Sequence, residues 1–294
     1  MTLVQPIPAP VLIWAQRTLG PVQDAHHVPR DRPTSRVWQL TGATGRAYLK
    51  LAPSPGAFAR ETRALREVAP GMDPGTAPAL LAADPHRQSL LFSAVPGDPV
   101  PALVLTPAGQ RRLHRQAGVW LRRFHGAPGD LSAQDHRDAA AEVRRIAHSG
   151  ADHLDRAGDL LGPERQRTVR EHAAELTRLG PLPAGYVHGD YQQSNWLLAR
   201  HPAGAVFAAV DFARARPHAA VADFVPLARG PWADRPDLRN AFFEGYGRTP
   251  TAAEELALRC LSALDAVARG VPNGDREVAV RGRATPARRE ARTA

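Results

Sequence analysis

The chain carries 294 residues with a formal net charge of +9, and 43% of it is hydrophobic and 23% charged. That size buries a substantial core and suits one bilobal domain or two small ones, and the composition is that of an ordinary globular protein. The single Cys260 excludes an intramolecular disulfide and points to a reducing compartment, while no apolar run reaches the roughly 18 residues of a membrane helix.

At the start, Met1 to Trp14 has no basic leader and sets Pro6, Pro8 and Pro10 inside its apolar stretch. It does not read as a signal peptide, and a cytoplasmic protein is expected. Arg36-Val37-Trp38-Gln39-Leu40, a turn from Thr41 to Gly45 and the run Arg46 to Leu51 predict a β-hairpin, with Lys50 near the end of its second strand. A helix is expected from Pro55 to Val68 on the spacing of Phe58, Leu65 and Val68, with Glu61 in its first half. Two more strands are expected at 79–82 and 89–93, and Pro96-Gly97 breaks the second.

From Pro107 the pattern turns helical. Ala108, Leu113, Ala117, Leu121 and Phe124 predict a helix over 107–124, and others are expected at 133–148, 151–161, 163–179, 235–247 and 251–269. Cys260 lies among Leu261, Leu264 and Val267 at near-helical spacing and reads as a buried structural thiol. Over 272–294 apolar periodicity stops, Arg, Gly and Pro dominate, and a mobile basic tail is expected. The arginines elsewhere are scattered and accompanied by Asp and Glu, and the basic tail has no aromatics, so the net charge does not predict nucleic-acid binding.

One segment interrupts the helices and carries the chemistry. Tyr186-Val187-His188-Gly189-Asp190 leads to Asn195 five residues on, and an apolar hairpin of strands 195–199 and 206–210 delivers Asp211-Phe212. In kinases this spacing sets one carboxylate beside the attacking hydroxyl, with an amide and a second carboxylate on Mg²⁺. A carboxylate can orient a hydroxyl and accept its proton, and hard oxygen donors suit Mg²⁺.

With this pattern the chain resembles the aminoglycoside phosphotransferase and choline-kinase-like family, relatives of protein kinases that phosphorylate small molecules. The resemblance covers roughly residues 30–270. It implies an α+β, bilobal, protein-kinase-like fold, with a β-rich N-lobe containing one helix at 1–95 and a mainly helical C-lobe at 96–271. It implies ATP or GTP together with Mg²⁺, a small-molecule hydroxyl as acceptor, no membrane and no nucleic-acid partner, and a monomer or homodimer. Asp190 takes the catalytic role, and Asn195 and Asp211 the metal. Lys50 would reach the α/β-phosphates and Glu61 would hold its ammonium, with Glu67 as the other carboxylate within range. Removing Lys50 is expected to cost turnover more than folding. The run Leu90 to Gly97 resembles the hinge between lobes, with Phe92 and Ala94 against the nucleotide. The phosphate-covering loop falls at 30–35, where Thr34 and Ser35 offer hydroxyls and no glycine is present. Gln192-Gln193-Ser194 departs from the His-Pro-Gly of many relatives. His188 reads as a structural residue of the loop. Asp223 resembles an aspartate that starts the next helix and braces that loop. The resemblance implies an aminoglycoside or related antibiotic as acceptor. A choline, homoserine or sugar-amine kinase and a nucleotide-binding pseudokinase stand as alternatives. Asp234, Asp237, Glu244, Glu254, Glu255 and Asp265 are the carboxylates that would serve a polycationic substrate.

Overall fold

The structure, a computed structural model, describes residues 6–28, 36–43, 45–127, 129–157, 161–202 and 204–270. Thr34 and Ser35 and the expected tail at 272–294 lie outside these residues. No helix among the described residues is long and apolar enough to cross a membrane.

In chain order the first part forms α1 (Ala9–Leu19), β1 (Val22–His27), β2 (Arg36–Gly42), β3 (Gly45–Leu51), α2 (Pro55–Arg63), β4 (Leu80–Asp84), β5 (Ser89–Ser93) and β6 (Asp98–Pro99). The rest forms α3 (Pro107–Gly126), α4 (Ala133–Ala157), α5 (Pro163–Arg178), β7 (Ala184–Val187), β8 (Trp196–His201), β9 (Gly204–Ala209), β10 (Arg216–Ala219), α6 (Val225–Arg229), α7 (Pro236–Tyr246) and α8 (Ala252–Gly270). Contacts divide the chain into two compact units. One holds residues 1–106, 119–130 and 188–216; the other holds 107–118, 131–187 and 217–294.

In the first unit, five antiparallel strands pair in the order β1-β2-β3-β5-β4. The hairpin expected over 36–51 is β2–β3, and the strand expected at 89–93 is β5. The strand expected at 79–82 is displaced to Leu80–Asp84. The sequence pattern predicts neither α1 nor β1, and Pro10 stands in the first turn of α1. A proline of the first turn gives up an N–H that has no intrahelical partner, so it costs the helix no bond. Val11 and Ala15 of α1 then pack with Trp38, Leu40, Ala47, Leu49, Leu51 and Leu91. Burying each large side chain of such a cluster stabilises by about 2 kcal/mol.

The Ser54 hydroxyl caps α2 by accepting from Ala57 N at 3.2 Å. The helix expected to reach Val68 leaves α geometry after Arg63, and Ala64–Val68 winds as a π-helix. The segment after β5 adds β6 to the hairpin β8–β9, giving the order β6-β8-β9.

In the second unit, α4, α5 and α8 pack together. Two helices expected at 133–148 and 151–161 are one continuous helix, α4. Gly150, read as a break, is instead a contact: a Cβ there would lie 2.6 Å from Leu264 Cδ2. Phe224, Trp232, Phe242, Phe243 and Tyr246 form an aromatic cluster with centroids 5.0 to 6.4 Å apart. Asp223 does not start α6. It is buried in a 3₁₀ turn, Ala220–Phe224, and the residue capping α6 is Phe224.

Candidate active site

Every described residue of the expected site belongs to the first unit. Lys50 is on β3, paired by β2 on one side and β5 on the other, so it is not a strand-edge charge. It is only 4% exposed. Its Nζ lies 2.9 and 2.8 Å from the two oxygens of Glu61 on α2 and 2.7 Å from Asp211 Oδ1. Glu67 is not the partner, since it is exposed and pairs with Arg63 at 2.7 Å. Burial alone pulls the Lys50 ammonium's pKa down, but Glu61 and Asp211 outweigh it and raise the value above 10.5. The lysine therefore stays charged throughout the neutral range. Arg60, beside Glu61, donates from Nε to Ala213 O at 3.1 Å and ties α2 to the residues following Asp211.

The loop after β7 is built around a glycine. Gly189 has φ +76, and a Cβ there would meet Arg214 O at 2.3 Å, so no side chain fits. His188 next to it is buried, with Nε2 3.2 Å from Val210 O and Nδ1 3.3 Å from Asp190 N. A neutral imidazole protonated on Nε2 satisfies both bonds, giving to the carbonyl and accepting from the amide. His188 thus holds Asp190 in place, as a structural residue of the loop should.

Asp190 is 5% exposed and accepts from Gln192 Nε2 at 3.1 Å. Asn195 donates from Nδ2 to Asp190 O at 2.9 Å, which leaves its Oδ1 as the amide's acceptor. The hairpin β8–β9 then returns the chain so that Val210 N bonds Asn195 O at 3.0 Å, one residue before Asp211. Asp211 sits at φ +74, a left-handed conformation uncommon outside glycine. Such strain persists only where the surroundings impose it, and it gathers at functional sites.

An aromatic floor supports this loop. Phe212 packs on Phe124 and His188 at 5.1 and 5.4 Å, and Trp120 stacks on Tyr191 and Phe124 at 5.8 and 4.9 Å. Trp120 donates from Nε1 to Thr76 O at 2.9 Å, and Ala209 N reaches the same carbonyl at 3.2 Å.

Of the hinge residues, Phe92 is half-buried on β5 and stacks on Tyr48 at 6.1 Å. Ala94 follows the strand and donates its N–H to Arg46 O at 3.3 Å. Sequence reading passed over Gln192 and the Arg60 anchor. The signal for the first was the departure from His-Pro-Gly, which puts an amide two residues after Asp190.

The model of the phosphotransferase enzyme family matches residues 30–256. The chain belongs to that family. This phosphotransferase is accordingly a small-molecule kinase. No curated protein matches it. Among solved structures it resembles an aminoglycoside phosphotransferase APH(2″)-IIa in complex with gentamicin, at 14% identity and a TM-score of 0.65 over 95% of each chain. It also resembles the macrolide 2′-phosphotransferase MphH from Brachybacterium faecium, at 19% identity and a TM-score of 0.59 over 96% of this chain and 100% of that one. A choline/ethanolamine kinase family protein from Mesorhizobium loti matches at 17% identity and a TM-score of 0.59, covering 89% of this chain and 84% of the other. At such identities the likeness is one of fold, and the fold is the expected one: β-rich in its N-terminal part and helical in its C-terminal part.

Proposed function

We propose that this phosphotransferase moves the γ-phosphoryl group of ATP, or of GTP, to a hydroxyl of a small molecule, and that the acceptor is an aminoglycoside or related antibiotic. One observation carries the reading: a buried ammonium, Lys50, bonded at once to Glu61 and to a backbone-strained Asp211. A pair kept only for folding has no use for the strain or for a third charge.

Each residue then has a task. Lys50 reaches the nucleotide's phosphates, and Glu61 keeps it extended from β3. Phe92 and Ala94 would lie against the base; Thr34 and Ser35, expected from the sequence to meet the phosphates, lie outside the described residues. Asn195, through Oδ1, and Asp211, through its carboxylate, are hard oxygen donors of the kind Mg²⁺ takes, and they would hold it. The bound ion supplies neutralisation of phosphate charge. Asp190, steadied by Gln192 and His188, receives the acceptor hydroxyl. A carboxylate is far too weak a base to ionise an alcohol beforehand. Proton transfer to Asp190 therefore comes late, and positioning contributes most. The nucleotide is served by residues of 1–95 and the chemistry and acceptor by residues of 96–271, in a cytoplasmic enzyme that modifies the antibiotic for resistance or self-protection.

A second reading of the acceptor has its own support. Five of the six carboxylates that would serve a polycation are taken by arginines: Asp237 by Arg235, Glu244 by Arg115, Glu254 by Arg248, Glu255 by Arg239 and Asp265 by Arg229. The hydrogen bonds of Arg235 hold the Asp237 carboxyl down at about 2. Neutralised carboxylates attract a polycation weakly, which favours an acceptor of lower charge, such as a macrolide or a choline- or sugar-type metabolite.

The test pairs two measurements. Nucleotide consumption is screened against aminoglycosides, macrolides and metabolites, with mass spectrometry for the added phosphate. Asp190→Asn is then expected to bind Mg²⁺–nucleotide nearly as the wild type does while transferring at least ~100-fold more slowly. Equal turnover in both proteins removes Asp190 from the mechanism. Tight nucleotide binding with no acceptor turned over would mark a pseudokinase.

A further inference from the structure

The second unit brings together three metal-ligating side chains that the proposed reaction does not use. His172 and Glu175 lie three residues apart on α5, and Cys260 reaches them from α8. Cys260 Sγ is 3.6 Å from His172 Nδ1 and 3.6 Å from Glu175 Oε2, and those two atoms are 3.3 Å apart.

Tetrahedral zinc bonds sulfur at about 2.3 Å and nitrogen or oxygen at about 2.0–2.1 Å, which places sulfur about 3.5 Å from each neighbour and nitrogen about 3.3 Å from oxygen. The observed triangle has these edges. We propose that His172, Glu175 and Cys260 form a zinc site that staples α5 to α8, with the fourth position open to water.

Exposure supports it. Cys260 is fully buried, whereas the side chains of His172 and Glu175 are 25% and 43% exposed, so the ion has a way in from one side. The donors select the metal: thiolate and imidazole favour zinc, while Mg²⁺ prefers oxygen. Without a cation, burial and then Glu175 push the Cys260 thiol up to about 12. Binding therefore releases the thiol proton to solvent as the sulfur–zinc bond forms.

The full-length protein, stripped of metal, is titrated with zinc alone by calorimetry, and bound metal is counted by mass spectrometry. Cobalt(II) is then substituted, since cobalt–thiolate bonds give a charge-transfer band in the near ultraviolet. One equivalent of zinc, a Tm raised by zinc and the thiolate band are expected in the wild type. His172→Ala should weaken zinc binding by at least about tenfold and remove the rise in Tm. Cys260→Ser should lose the cobalt band. If that buried substitution prevents folding, Glu175→Gln, on a partly exposed side chain, should weaken zinc as His172→Ala does. Zinc binding unchanged in His172→Ala and Glu175→Gln, or no thiolate band in the wild type, overturns the site. None of these readouts depends on phosphotransfer.

Discussion

Each unit buries a carboxylate against a cation, but the two pairs are built to different ends. In the second unit, Arg248 grips Glu254 with a two-pronged bond, both arms 2.8 Å long. Thr251 N also donates to Glu254 Oε2, and Thr251 Oγ1 accepts from Glu254 N, a reciprocal cap at the start of α8. The partners are six residues apart and neither has a positive φ. In the first unit, Lys50 faces two carboxylates, one of them 161 residues away and on left-handed backbone. A closed, local pair contributes stability. A strained, long-range one with surplus negative charge fits the proposed nucleotide and metal site.

The largest test of this contrast is at Asp211. Asp211→Ala and Asp211→Gly should both abolish phosphoryl transfer and weaken nucleotide binding in Mg²⁺, and excess chelator should silence the wild type. If the backbone is strained, Asp211→Gly should be more stable than Asp211→Ala by about 1 kcal/mol, read from denaturant unfolding. Equal stabilities would mean that the positive φ costs nothing.

Lys50→Met comes next. Turnover should fall at least about tenfold, equivalent to about 1.4 kcal/mol. The expectation that folding would be spared does not survive the burial of this lysine. Removing it takes the buried cation away from Glu61 and Asp211, a loss of about 3 kcal/mol. Adding Glu61→Gln should recover part of that, and a double-mutant cycle measures how much.

Glu254→Gln should leave turnover intact and cost about 1 kcal/mol, since Arg248 is partly exposed and the pair is screened. Burial alone would raise the Glu254 pKa, but the bonds from Arg248 and Thr251 overcome this and lower it from 4.5. Its contribution is therefore complete above that ordinary value and is lost as pH falls through the lower folded one. The gap in Tm between wild type and Glu254→Gln should close in acid, and a gap that widens there would reverse the assignment.

The smallest effect belongs to Glu67→Gln, whose exposed bond to Arg63 contributes at most about 0.5 kcal/mol and nothing to turnover. A tenfold loss of activity there would make Glu67 the partner of Lys50 after all.

Much of this was legible in the residues. Apolar segments bounded by turns marked β2, β3 and β5, and the helical runs between Gly and Pro positions marked α3, α5, α7 and α8, because each pattern is written in neighbours a few positions apart. The run His188-Gly189-Asp190 to Asn195, then Asp211-Phe212, stood out by type and spacing as the place of the proposed chemistry, and Gly189 stands where no Cβ fits.

Partnership was legible only where the resemblance named it, as with Glu61. Lys50 had Glu61 and Glu67 within range, and only the packing of α2 buried one while leaving the other in solvent. Gly150 read as a break until Leu264 lay against it. No helix was expected over 9–19, and packing of Val11 and Ala15 on the apolar core of the sheet secures one. Cys260 read as plain core, and its meeting with His172 and Glu175 required α5 and α8 to come together. Local order follows from rotamers, turns and periodicity, which act over a few residues. The choice of a distant partner depends on loop closure and burial, which take effect only once the chain has folded.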